Sequence, residues 1–263
     1  MNDSVFTNHE DKIRIAVDFA IKNNTNYFMQ LYHTTDITIQ WDGLTIHDPR
    51  IVYQLKRVMR ARAGQQIMIQ YPQLDHTIRY ECVVSVVSDK CINADIIHQV
   101  SHAHRETSKH LVIAMANKRD KMELIIQKAT ECGVSQITIV PMQRSVITSC
   151  NINKWKRLEL IMLEAMEQSR SVQLPVLQWC DNLKNLTISW QALLSNMGGR
   201  LLSDVSIASD TTIVIWPEGG LDDKDIKLLE QKQLDLMTIS LWSTVLRMET
   251  AAIVGSWYIS QPK

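Results

Sequence analysis

The sequence predicts an α/β protein in two parts, a small β-barrel ahead of a parallel sheet covered by helices on both faces. Three observations predict it. The 263 residues suffice for one large domain or two modest ones. A 45% hydrophobic and 21% charged composition is that of a globular chain rather than a disordered one. The rhythm of apolar residues changes near residue 105, from closely spaced strands to strands that alternate with helices.

The elements follow in order. Residues 1–26 are set apart as an N-terminal extension: DKIRIAVDFAIKNN has the makings of a short helix, but MQLYH at Met29 looks like the natural start of the β part. An added helix and a misassigned start codon both remain open. Residues 27–105 form the predicted barrel. QIMIQY (66–71), TIRYECVVSVV (77–87) and CINADIIH (91–98) are rich in β-branched and aromatic residues, with turn formers between them. One helix interrupts them at about 49–62, with Asp48 as its cap, Pro49 in its first turn and Gly64 after its end. On it Ile51, Val52, Leu55, Val58 and Met59 form the side expected to be buried. HQVSHAHRETSKH (98–110) has no periodicity and reads as a linker.

Residues 106–263 form the second predicted domain. HLVIAMA (110–116) is a buried-strand run, and RDKMELIIQKATECG (119–133) places Met122, Ile125, Ile126 and Ala129 on one helical face before Gly133. ITIVP (137–141) is a strand; in the helix at 153–170, Leu158, Ile161, Met162, Ala165 and Met166 share a face, the methionines as core filling. TTIVIW (211–216) and LMTISLW (236–242) are strands, DDKDIKLLEQK (222–232) a helix and METAAIVGSWYI (248–259) a closing helix. Strands that alternate with helices imply a parallel sheet, and ligands of such sheets sit at the carboxyl ends of strands. The loops after residues 216 and 242 are therefore the places to look.

Composition narrows the function classes. No window approaches about 18 uninterrupted apolar residues, so no membrane span is expected. The first residues, MNDSVFTNHEDK, are acidic and polar where a secretory signal is basic and then apolar. Five cysteines without a C-x-x-C pair read as reduced thiols, hence a cytoplasmic location. Twenty-eight Lys+Arg balance 28 Asp+Glu, so any nucleic-acid contact must come from a local basic face. His98, His102, His104 and His110 fall within one short stretch, but no Cys or carboxylate recurs nearby at a ligand spacing, and no metal is expected.

Two segments carry chemistry. In WPEGG (216–220), after a strand, paired glycines let backbone approach a ligand or take positive φ. In LWSTVLRMETA (241–251), Arg247 and Glu249 stand where the last helix begins. With KRDKMELIIQKATECGVSQITIVPMQRSV (118–146) and EAMEQSRSVQLP (164–175), the order of IWPEGGLDDKDI (215–226) and LWSTVLRMETAAI (241–253) resembles the RsmE family, methyltransferases that modify the N3 of a uridine in 16S ribosomal RNA. HDPRIVYQLKRVMRARAGQQI (47–67) resembles that family's N-terminal RNA-binding module. The resemblance covers about 29–259. It implies a PUA-like β-barrel, a SPOUT methyltransferase domain with a C-terminal trefoil knot, S-adenosylmethionine as methyl donor, a homodimer, and the 16S rRNA of the small subunit as partner. It implies a cofactor site at Ile215, Trp216, Pro217, Glu218, Gly219, Gly220, Leu241, Trp242, Leu246 and Arg247.

Under that resemblance the residues make chemical sense. Methyl transfer to a ring nitrogen needs the two reactants aligned, and the uracil N3–H must lose its proton. Arg247 is expected to stabilise the charge that spreads onto the carbonyl oxygens, and Glu249, or a water it holds, to accept the proton. RNA contact is expected from Arg50, Arg57 and Arg60, a stripe at helical spacing, and from Lys118, Arg119, Lys121, Lys128 and Arg144, the two groups forming a cleft across the domain junction.

The chain departs from the family pattern, I-G-P-E-G-G and L-G-P-R-V-L-R, at both loops: Trp216 and Trp242 replace glycines, and Ser243 and Thr244 stand where Pro and Arg are usual. Three explanations are open. The protein is a degenerate member that binds ribosomal RNA without methylating it, or the indoles splay outward from a retained pocket, or UGA codons meaning glycine have been read as tryptophan. Eight glycines against seven tryptophans, with Trp41 ahead of a turn-like Asp-Gly, accord with the third. A SPOUT enzyme with another RNA target is a further alternative, since fold does not fix substrate.

Overall fold

The computed structural model describes residues 29–188, 191–220, 222–232 and 235–261. The proposed extension at 1–26 lies outside them. The chain divides into two compact units, the first ending at His104 and the second beginning at Arg105.

In the first unit the strands are β1 (Gln30–His33), β2 (Ile37–Ile39), β3 (Gly43–Ile46), β4 (Gln66–Pro72), β5 (His76–Val87) and β6 (Ile92–Ala103). Among the described residues they form one six-stranded sheet in the order β1-β4-β5-β6-β3-β2, in which only β1 and β4 run parallel. Alternation puts Ile67, Ile69, Tyr80, Cys82, Ile92 and Ala94 into a core that Ile51, Val52 and Leu55 cover. Each isoleucine, leucine or valine among them contributes about 1.5–3 kcal/mol on burial. All five cysteines of the chain are free, and burial pushes the Cys82 thiol up to about 12.

Two expectations for this unit need correction. Helix α1 (Pro49–Tyr53) begins as expected, with the Asp48 carboxylate accepting from the Arg50 and Ile51 N–H groups, but from Gln54 to Val58 the winding widens to a π-helix. The Met59 N–H then bonds back five residues to Gln54, and Arg60 takes a positive φ of 51°. The wider turn rotates Val58 and Met59 off the core, leaving them 62% and 44% exposed. Nor is 98–110 a linker: β6 runs on to Ala103 beside β5, and β7 begins at Lys109. From His98 on, the strand is mostly exposed and mostly polar, so this end shows no apolar alternation to be read.

Among the described residues the second unit holds six parallel strands: β7 (Lys109–Ile113), β8 (Gln136–Ile139), β9 (Val176–Trp179), β10 (Gln191–Leu201), β11 (Thr211–Ile215) and β12 (Asp235–Ser240). Their order is β12-β10-β11-β7-β8-β9, with every described pairing parallel. The helices are α2 (Arg119–Glu131), α3 (Ile152–Ser169), α4 (Asp223–Lys232) and α5 (Met248–Ile259). The face of α2 read from the sequence is buried, as is that of α3. β7 and β11 are buried along their whole length, which is why they read as unbroken apolar runs. Small residues on α5 let it lie close to the sheet: a Cβ on Gly255 would come within 2.6 Å of Ile213 Cδ1.

β9 and β10 were not expected. β10 loses its register against β12 between Ser195 and Arg200, where the chain carries Met-Gly-Gly. Gly198 has φ +84°, and a Cβ on Gly199 would sit 2.7 Å from the backbone of Thr238 and Ile239. The bulge thus needs glycine, and it lies beside Ser195 and Asn196, which line the site described next.

Candidate functional site

The carboxyl ends of β10, β11 and β12, three neighbours in the sheet, open into a cavity of about 480 Å³. Its walls come from Ser195 and Asn196 on β10, from 215–218 with Gly220 after β11, and from 240–242 with 244–248 after β12. Ala251 on α5 and Lys121 on α2 complete it. The lining mixes apolar side chains (Ile215, Leu241, Leu246) with polar ones (Ser195, Asn196, Ser240, Thr244), as suits a nucleoside-like ligand with a polar sugar and an apolar base face.

The loop after β11 is a tight turn, closed by the Gly220 N–H donating to the Pro217 carbonyl at 2.9 Å, with Gly220 at φ +82°. The segment 142–145 props it from outside. Arg144 donates from its guanidinium to the Gly219 carbonyl at 3.3 Å and lies 3.6 Å from the Asp222 carboxylate. The Gln143 N–H donates at 3.0 Å to Asp225, a carboxylate only 2% exposed, whose pKa burial raises.

The two indoles meet different fates. Trp216 is 8% exposed, belongs to the core that backs the cavity, and its Nε1–H is buried without an acceptor among the described residues. Trp242 is 62% exposed at the cavity's edge. Neither fills the hollow.

Arg247, exposed, is the residue before α5 and lines the cavity. Glu249 lies in the first turn of α5, where the helix dipole favours a carboxylate. Its side chain is 13% exposed, and Oε2 lies 3.3 Å from Lys121 Nζ. Lys121 also faces Glu218 Oε1 at 3.6 Å, and the Asn117 N–H reaches the same oxygen at 3.5 Å.

A match to the RNA methyltransferase domain family spans residues 104–260, all but the last three residues of the unit that carries this cavity. The chain belongs to that family. Over 175 residues it is 33% identical to a protein named ribosomal RNA small subunit methyltransferase E of Mesomycoplasma hyopneumoniae, covering 61% of this chain and 73% of that one. A protein of the same name from Rickettsia conorii is 30% identical over 60% of this chain, and the match spans 66% of that relative's length. Among solved structures, a methyltransferase from Legionella pneumophila in complex with bound SAM has a TM-score of 0.75 at 22% identity, covering 88% of this chain and 96% of that one. A ribosomal RNA small subunit methyltransferase E from Neisseria gonorrhoeae, bound to S-adenosyl methionine, has a TM-score of 0.70 at 20% identity over 87% and 95%. At these identities the two structures establish that the fold is shared.

Within this RNA methyltransferase unit, all the residues expected at a cofactor site border the cavity except Gly219, which packs on Arg144 instead. Glu249 is not on its surface but behind Lys121. Sequence reasoning missed Ser195, Asn196, Ser240, Thr244, Val245, Met248 and Ala251, and assigned Lys121 to RNA.

The residues expected on RNA are scattered in role. Lys121 is held by two carboxylates, Arg119 by Glu123 at 2.5 Å, Lys128 by Glu131 at 2.8 Å, and Arg144 by the loop after β11. Lys118 is exposed. In the first unit Arg57 and Arg60 are exposed, while Arg50 donates to the His33 carbonyl at 3.0 Å. The π-helical segment ends the even spacing on which their single stripe rested. His98 and His102 lie on β6, His104 Nε2 is 2.9 Å from Thr77 Oγ1, and His110 is buried on β7. No described helix is long and apolar enough to cross a membrane.

Proposed function

We propose that this protein is a methyltransferase that uses S-adenosylmethionine to methylate the N3 of a uridine in 16S rRNA of the small ribosomal subunit. One observation carries the reading: a cavity of about 480 Å³ stays open at the carboxyl ends of β10, β11 and β12 despite a tryptophan in each flanking loop. That volume and its mixed lining fit an adenosyl group. The names of the relatives supply the substrate, ribosomal RNA of the small subunit.

Ile215, Trp216, Pro217, Glu218, Gly220, Leu241, Trp242, Leu246 and Arg247 would hold the cofactor, with Gly219 bracing the loop. The bound cofactor supplies a methyl group on a sulfonium centre. The chain's own residues align the acceptor and manage its proton. Arg247, at the cavity wall, stabilises the charge that develops on the uracil oxygens, and Glu249 takes the N3 proton through a water it holds. Exposed Arg57, Arg60 and Lys118 grip phosphates.

A C-terminal trefoil knot, a PUA-like closure of the first sheet, a homodimer and a cytoplasmic location belong to the same reading. The placement of β10 between β11 and β12 supports the first; the five free thiols accord with the last. A methyl-acceptor assay on small-subunit particles and on naked RNA tests the function. Incorporation of one methyl at a uridine N3 is expected; incorporation at another atom, or none, overturns it. The rival, a protein that binds ribosomal RNA without methylating it, predicts none.

A further inference from the structure

Three elements distant in sequence meet at Lys121. Glu218 comes from the loop after β11, Lys121 from the first turn of α2, and Glu249 from the first turn of α5. The three side chains are 24%, 23% and 13% exposed, so none is a freely solvated surface charge. Glu218 is doubly committed, to Lys121 at 3.6 Å and to the Asn117 N–H at 3.5 Å. Glu249 is not: its Oε2 is buried and makes no hydrogen bond among the described residues, and Lys121 at 3.3 Å is the cation it faces. Lys121 lines the cavity, whereas Glu249 lies behind it.

A buried carboxylate oxygen without a hydrogen bond is costly unless a cation stands beside it. The chain Asn117–Glu218–Lys121–Glu249 answers this. Glu218, fixed to backbone, orients the lysine, and the lysine orients the carboxylate. We propose that Lys121 is a positioning residue for the methyl transfer, anchored by Glu218 and fixing the Glu249 carboxylate just behind the cavity wall. This rests on the methyltransferase reading, and it removes Lys121 from the phosphate-binding surface.

The test is a double-mutant cycle with Lys121→Met, Lys121→Arg and Glu249→Gln, read by thermal unfolding, by S-adenosylmethionine binding and by turnover on small-subunit particles. Lys121→Met should cut kcat roughly tenfold or more while the KM for RNA and its salt dependence hold within about threefold. Lys121→Arg should restore most of the loss. In the Glu249→Gln background Lys121→Met should add little, because the carboxylate it positions is gone. The unfolding shifts of the two single variants should likewise fail to add. Additive effects on kcat and on unfolding would overturn the coupling. A rise in RNA KM with a shallower salt slope would make Lys121 a phosphate contact instead. If the parent protein shows no turnover, the methyltransferase reading fails and takes this role with it, and the unfolding cycle then reports a structural ion pair alone.

Discussion

Gly219 and Arg144 lock two loops together: a Cβ on Gly219 would lie 2.8 Å from the Arg144 carbonyl oxygen, and the Arg144 guanidinium donates to the Gly219 carbonyl at 3.3 Å. Glycine is needed there for closeness to another loop, while Gly220 beside it supplies the positive φ. Gly219→Ala should therefore force the loops apart, at a cost of about 1–3 kcal/mol. Denaturant unfolding reads the cost. S-adenosylmethionine affinity should fall with it, since the displaced loop walls the cavity.

The tryptophans should respond in opposite ways. Trp242 is largely exposed, so Trp242→Ala should change stability by no more than about 0.5 kcal/mol. Trp216 is buried with an unpaired Nε1–H, a loss worth about 1–3 kcal/mol. Trp216→Phe removes that donor and keeps most of the packing, and should leave the protein at least as stable. Both are read by melting temperature. A source gene with UGG at both codons would eliminate the recoding explanation.

Glu249→Gln should lower kcat by about a hundredfold or more with the fold intact, the range for a lost proton acceptor. Circular dichroism checks the fold, and methyl incorporation into small-subunit particles checks the rate. Near-normal turnover would remove Glu249 from the reaction.

Two histidines, His110 buried and His33 half-buried, make stability pH-dependent. Burial holds His110 at about 4, between Thr138 and Thr212; burial, then Arg50, holds His33 at about 4. The folded values lie below the ordinary 6.5, so the unfolded chain binds more protons between those limits. Stability is full above about pH 6.5 and falls as the pH drops toward 4, by on the order of 3 kcal/mol for each histidine. Melting temperatures across that window should show the fall, and His110→Gln should flatten it for the second unit.

Affinity for RNA should decline steeply with salt through the exposed cations. Arg57→Ala and Arg60→Ala should each reduce the logarithmic salt slope by about 1, while Lys128→Ala, already paired with Glu131, should leave it unchanged.

Much of the second unit was legible in its residues because its strands are buried on both faces. TTIVI and HLVI carry unbroken apolar runs, and the helices between them carry a clear 3.6-residue period. β10 was not legible: Gly198 and Gly199 break its run at the bulge, and β9 is four residues with alternate positions exposed. The loops that wall the cavity followed from the rule that ligands sit at strand carboxyl ends, and from the family motifs. Lys121 and Asn196 did not, because only the sheet order β12-β10-β11-β7 brings their segments to one place. The lysine's charge reads as surface charge until its two carboxylates, Glu218 and Glu249, both far along the chain, are placed beside it.

Titration calorimetry of the full chain with S-adenosylmethionine probes the cavity itself. Saturable binding of one cofactor per chain, weakened by Gly219→Ala, is the expected result. An absence of saturable binding by a folded protein would contradict the view that the hollow beside Trp216 and Trp242 is a methyl-donor site.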